Sequence, residues 1–188
     1  GQARSSQDKF CLGAVRAAAE CFDDIDVGYA GYVGQVNGYL GNPNVGLRLS
    51  SYGAALFWTY MTEKFGRNLP LDPVEGGTDF LVKFWEASAA TPGRDAVANI
   101  NDALTANGFT QTFRSAYKDF MVANYAKNLT GTVDSKYRYA DMAQPGGTYA
   151  EVHLEQNLAM ALGDAFLDVD ETVNPWGGRY YQFRPNSG

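Results

Sequence analysis

Side chains that can hold a metal or activate a nucleophile are scarce in this sequence, and imidazole is the scarcest. His153 is the one histidine in 188 residues. A zinc site draws on several His or Cys ligands, and a serine relay needs a histidine beside a positioned nucleophile. His153 sits in Tyr149-Ala-Glu-Val-His-Leu-Glu155, a stretch that reads as a strand, and no Gly-x-Ser-x-Gly elbow accompanies it. Its plainer reading is a structural or solvent-facing side chain. Cys11 and Cys21 fall in a predicted helix from Asp8 to Ile25. Ten residues of helix put them about 15 Å apart, too far to bridge, so they read as small core residues.

Carboxylates are more suggestive. Glu20, Asp23, Asp24 and Asp26 crowd the end of that first helix, and Asp164, Asp168, Asp170 and Glu171 form a second group. Paired carboxylates cleave glycosidic bonds or hold calcium. Neither group follows the Asp-x-Asp-x-Asp-Gly spacing of a calcium loop. Acids at a helix C-terminus oppose the helix dipole, which calls for a neutralising cation or arginine. Glu20, Asp23 and Asp24 are therefore the candidate metal ligands, with a solvated acidic face as the plainer reading. Tyr29, Tyr32 and Tyr39, with Tyr137 and Tyr139 beyond them, are candidates for a carbohydrate or protein contact surface. At helical spacing, half-buried core is their plainer reading. Asn128-Leu129-Thr130 fits a glycosylation acceptor, although such triplets also arise by chance. None of the glycine pairs has the setting of a phosphate loop.

Bulk properties narrow the class. Hydrophobic residues make up 45% and aromatics 14%, enough for one packed core at this length. Charged residues are only 19%, while Tyr at 12 and Gly at 21 are high, a balance that suits a secreted or cell-surface protein. A net charge of −6 repels a phosphate backbone, and the cations Lys64, Arg67, Lys83, Arg94, Arg114 and Lys118 are scattered. Nucleic acid is not an expected partner. The longest apolar run, Ala54 to Met61, falls far short of the ~20 residues that cross a bilayer. No charged-then-apolar leader opens the chain, and a mature secreted protein is expected to have shed one.

The elements that must position these groups are mostly helices. Tyr29 to Leu40 keeps a helical stripe despite Gly31, Gly34 and Gly38. Ser50 or Ser51 is the expected cap of a helix over Tyr52 to Phe65, apolar on every side in its first ten residues and stopped by Gly66. Thr78 is the expected cap of a short helix carrying Phe80, Leu81, Phe84 and Trp85. Another helix is predicted over Asp95 to Asn107, ended by Gly108. A last one opens at Thr110 and runs to about Asn124, with Phe113, Ala116, Phe120 and Ala123 inward. After Asn128 the pattern turns to loops and short strands. The tail Arg179 to Arg184 alternates like a strand and needs a partner strand from this chain or from a following domain. The expected fold is mainly α: an orthogonal bundle of about five or six helices with a short β-rich C-terminal segment. Residues 1–128 form the helical domain, and 129–188 an appendage packed on it.

Ser51-Tyr-Gly-Ala-Ala-Leu-Phe-Trp-Thr-Tyr-Met-Thr-Glu-Lys-Phe-Gly66 resembles the C-terminal helical part of secreted bacterial zinc metallopeptidases of the gluzincin type. In that family the catalytic helix bears His-Glu-x-x-His. Further echoes follow in order over roughly residues 12 to 185. Asp23-Asp24 with Tyr32, Tyr39-Leu40 and Asn42-Pro43 is similar to the stretch after the family's glutamate-bearing helix. Phe84-Trp85-Glu86, Phe113 to Tyr125 and Val173 to Pro185 resemble three later elements. The buried-helix motif is moderately specific, and the others are weak singly. His-Glu-x-x-His itself is absent and would lie before Gly1. The best register places Arg16 or Val15 at the third zinc-ligand position, where a cation would repel zinc, and Glu20 is the nearest carboxylate.

The resemblance implies a non-catalytic, degenerate or truncated metallopeptidase-like domain of a secreted or cell-surface protein. It would be a structural or interaction module meeting a protein partner or a second copy of itself. It carries no cofactor of its own, and zinc enters only if a parent protein supplies His-Glu-x-x-His. Two alternatives stay open: the C-terminal portion of an active secreted zinc metallopeptidase, and a calcium- or glycan-binding module.

Overall fold

A computed structural model describes residues 29–68, 77–139, 143–144, 147–160 and 172–185, and the chain is mainly helical. Five α-helices are formed among these residues: α1 (Tyr29–Gly41), α2 (Ala55–Phe65), α3 (Asp79–Ala90), α4 (Ala96–Ala106) and α5 (Phe113–Ala126). The predicted first helix over Asp8 to Ile25 lies outside the described residues.

Helix α2 is the centre, for the reason visible in its sequence. Ala55, Leu56, Phe57, Trp58, Tyr60 and Met61 are all buried, so the first two turns have almost no polar side to turn to water, while Thr59, Glu63 and Lys64 are half-buried. Other elements enclose it. Phe57 meets Phe113 and Phe120 of α5 edge-on, with ring centroids 5.7 and 5.3 Å apart. Trp58 leans on Phe84 of α3 at 4.8 Å. Tyr60 touches Phe120 and Tyr139, and Phe65 meets Phe80 and Phe109. Edge-to-face and offset contacts of this kind add to the area they bury.

Helix ends follow the sequence less closely. Neither α2 nor α3 takes its expected side-chain cap. Residues Ser51–Ala54 form a 3-10 turn leading into α2, Ala54 occupies the cap position, and the Ser50 hydroxyl donates instead to Leu47 O at 3.0 Å. Thr78 opens α3, but its hydroxyl accepts from Asn68 Nδ2 rather than from the helix. Asp79 does the tying there. Its carboxylate accepts from the Arg67 and Asn68 backbone amides at 2.8 and 3.0 Å and from Asn107 Nδ2 at 2.9 Å, joining the ends of α2 and α4 to the start of α3. Helix α5 is capped by Thr112 rather than Thr110, through reciprocal bonds with Ser115.

Gly66 does stop α2, in extended rather than left-handed geometry, with φ −78° and ψ 157°. The need for glycine is close approach. A Cβ on Gly66 would lie 2.0 Å from Gly77 Cα, and one on Gly77 would lie 2.0 Å from Thr62 O. Gly77 also has φ +81°, so it is required for conformation and for space.

Beyond α5 the chain forms loops and short strands, as its composition predicts. Ala143–Gln144 (β1) pairs antiparallel with Gly147–Thr148 (β2). Gln156–Met160 (β3) pairs in parallel with Tyr181–Pro185 (β4), Gln156 opposite Tyr181 and Met160 opposite Pro185. The tail strand thus finds its partner within this chain. The strand expected over Tyr149 to Glu155 is not formed. That stretch runs against α1 instead, where the His153 amide donates to Leu40 O at 2.8 Å. Tyr139, Tyr149 and Val152 join the same core as the helices. The turn at Pro175 and Trp176 docks there too. Trp176 adopts φ 55°, rare for a bulky residue, and is held by three contacts. Its ring meets Phe113 at 4.4 Å, and its carbonyl accepts from the Leu47 amide and the Tyr117 hydroxyl.

Gly77 and Gly93 share φ +81°, but a Cβ on Gly93 meets nothing within 4 Å. Gly93→Ala is therefore expected to cost about 1–2 kcal/mol, the left-handed penalty alone. Gly77→Ala is expected to cost at least about twice that, because the α2–α3 junction must also part. Urea denaturation of the two variants checks the ordering.

Candidate functional site

The residues singled out for chemistry fare unequally. Glu20, Asp23 and Asp24 lie outside the described residues, as do Asp26 and the second acidic group at 164–171. Tyr29 and Tyr32 belong to the first turn of α1, with side chains outside the described residues. Tyr39 is placed, and it is no surface residue. It is 3% exposed, stacked on Phe120, with its hydroxyl directed at Met121 Sδ 3.8 Å away. The α1 stripe that carries it faces α2 and α5, so the contact-surface expectation for Tyr39 is corrected to core. The His153 residue is exposed. Among the described residues no group of three or more His, Cys, Asp or Glu comes together, and no helix is long and apolar enough to cross a membrane.

What the fold does assemble is a set of buried phenols. The Tyr117 hydroxyl donates to Trp176 O at 2.8 Å, Tyr180 to Met121 O at 2.8 Å, Tyr60 to Lys136 O at 3.1 Å, and Tyr139 to Asn124 Oδ1 at 2.6 Å. Burial pushes every one of these phenols, and Tyr39, above the ordinary tyrosine range, Tyr117 to about 12. They are neutral donors at physiological pH. Tyr60, Tyr117 and Tyr180 fasten backbone carbonyls, and Tyr139 fastens the Asn124 side chain.

One concavity collects charge. Where α5 ends, a cavity of about 260 Å³ is lined by Ala126, Lys127, Leu129, Val133, Arg138 and Tyr139. Lys127 is 9% exposed. Its ammonium donates to Asn124 O at 3.1 Å and to Asn128 Oδ1, which places a cation on the carbonyls at the helix C-terminus. Burial lowers its pKa from 10.5 to about 8, partly offset by Glu151. Arg138 reaches across the loop, its Nε to Val133 O at 3.0 Å and Nη2 to Gly131 O at 2.9 Å. Among the described residues neither cation forms an ion pair. Behind them Asn124 is fully buried, and its Nδ2 has no hydrogen-bond partner.

Sequence reasoning passed over Lys127 and Arg138. The two lie eleven residues apart and line one cavity only because the 128–137 loop folds back, and no local pattern encodes that. No family model matches the chain, and neither a curated protein nor a solved structure matches it.

The buried groups set a pH profile. Between about pH 8 and 10 the folded chain has released the Lys127 proton while the unfolded chain still holds it, so stability rises with pH. Above pH 10 the unfolded chain loses phenolic protons that the folded chain retains, so stability falls as pH climbs through 12. Urea midpoints measured across this range are expected to show a shallow climb and then a steep drop. Lys127→Met is expected to remove the climb and keep the drop.

Proposed function

We propose that this chain is a non-catalytic, metallopeptidase-like helical domain of a secreted or cell-surface protein, working as a structural and interaction module. What supports the reading is an outward apolar row at the end of α5. Val122, Tyr125 and Leu129 are 44%, 39% and 50% exposed at three- and four-residue spacing. Large apolar side chains grouped on one face mark contact surfaces more often than scattered ones do. The partner is a protein, either another chain or a second copy, and the net charge of −6 disfavours nucleic acid. The low content of charged residues and the resemblance of the α2 segment to secreted peptidases motivate the extracellular assignment.

The purified chain is expected to be inert towards peptide substrates, with or without added zinc, and to sediment as a concentration-dependent oligomer. Val122→Ser with Leu129→Ser is expected to weaken that association while shifting stability by no more than about 0.5 kcal/mol, as surface substitutions do. Peptide hydrolysis with stoichiometric zinc contradicts the proposal. Sedimentation that ignores the double substitution contradicts it as well.

A further inference from the structure

The geometry points to the cavity at the end of α5 as a binding site for an apolar carboxylate, its acid group taken between Lys127 and Arg138 and its hydrocarbon body laid on Ala126, Leu129 and Val133. The site does not depend on the module reading, since a segment of an active peptidase would carry it equally.

Donor capacity is the first ground. An ammonium has three N–H groups, and Lys127 uses two, on Asn124 O and Asn128 Oδ1. A guanidinium has five, and Arg138 directs its Nε and Nη2 to Val133 O and Gly131 O, leaving Nη1 without a partner among the described residues. Two cations line one cavity with donors to spare and no carboxylate paired to either. Glu151 offsets only part of the cost of burying the Lys127 ammonium, and a carboxylate bound in direct contact relieves more of it.

The second ground is what else lines the space. The cavity, about 260 Å³, sets two cations and a few backbone carbonyls beside apolar side chains, a combination that suits a small ligand with one charged and one apolar end. The anion is a monoanion rather than phosphate. The carbonyls of Asn124, Gly131 and Val133 already lie against the two cations and would repel a second negative charge. No helix N-terminus or run of backbone amides lines the cavity to receive three oxygens, whereas a two-oxygen group matches one N–H from each cation.

The acid can belong to a free short-chain compound or to the C-terminus of a peptide. Titration of the 15N-labelled 188-residue chain at pH 7 with hexanoate, and separately with acetyl-Leu-Leu bearing a free carboxyl, reads both sources. Saturable shifts confined to residues 124–139 are expected with at least one of them, and none with hexanamide or with the peptide amide. The tighter ligand assigns the source. Lys127→Met and Arg138→Met are each expected to weaken binding by about tenfold or more, with the rest of the amide spectrum unchanged as evidence of folding. Two results overturn the site: no saturable shift with either acid, or inorganic phosphate binding as tightly as the better carboxylate.

Discussion

A helix that is apolar around nearly its whole circumference cannot lie on a surface, and the fold follows from that constraint on α2. Phe57, Trp58, Tyr60 and Met61 point in different directions around the helix, and each is almost wholly removed from water. Burying one such side chain contributes roughly 1.5–3 kcal/mol, so leaving any flank of α2 open would forfeit a large part of the net stability of a domain this size. Helices α3 and α5 cover two flanks with Phe84, Phe113 and Phe120. The enclosure is tight enough that Trp58 Nε1 is buried without a hydrogen-bond partner, a penalty the surrounding aromatic contacts must outweigh.

The remaining flank is closed by chain that has little regular structure. Residues beyond α5 contribute Tyr139, Tyr149 and Val152 to the core, and Trp176 caps the Phe113–Tyr117 end of α5. Loops cannot satisfy their own backbone groups as helices do, and here side chains do it for them. Phenols from the helices reach out to Lys136 O and Trp176 O, and phenols from the loops reach back to Asn124 and Met121 O. The same hydroxyls that make the tyrosine count high make the C-terminal third an integral part of the molecule. Their neutrality is a condition of folding, since ionising one would strand a charge among rings and carbonyls.

The helices were legible in the sequence because periodicity records burial. The stripe Phe113, Ala116, Phe120 and Ala123, and the uniformly apolar start of α2, translate directly into faces that meet. Caps were less legible, because Thr78 and Ser50 have several acceptors and donors within reach and tertiary contacts choose among them. Gly66, just after the last apolar residue of the stripe, reads as a helix stop. Its closeness to Gly77 is a pairing over eleven residues that no local rule contains. The strand expected over 149–155 does not form because the amide of His153 bonds to the end of α1 rather than to a neighbouring strand. For Tyr39 the sequence leaves contact surface and half-buried core both open, because exposed and buried tyrosines share one spacing on a glycine-rich helix, and the fold selects core. The cavity between Lys127 and Arg138 left no trace in the sequence, since a lysine after a helix and an arginine in a loop are ordinary until the loop closes. The resemblance to a peptidase rests chiefly on the α2 segment, and an apolar helix says that it is enclosed without saying what encloses it.

The central claim is that α2 folds only with its whole enclosure, the C-terminal turn included. Labelling the chain with 5-fluorotryptophan places one 19F probe on α2 at Trp58, one on α3 at Trp85 and one on the C-terminal turn at Trp176. Following the three resonances through urea unfolding at neutral pH tests the claim directly. The account predicts one midpoint shared by all three. A Trp176 signal that reaches its unfolded position while Trp58 remains native would contradict it.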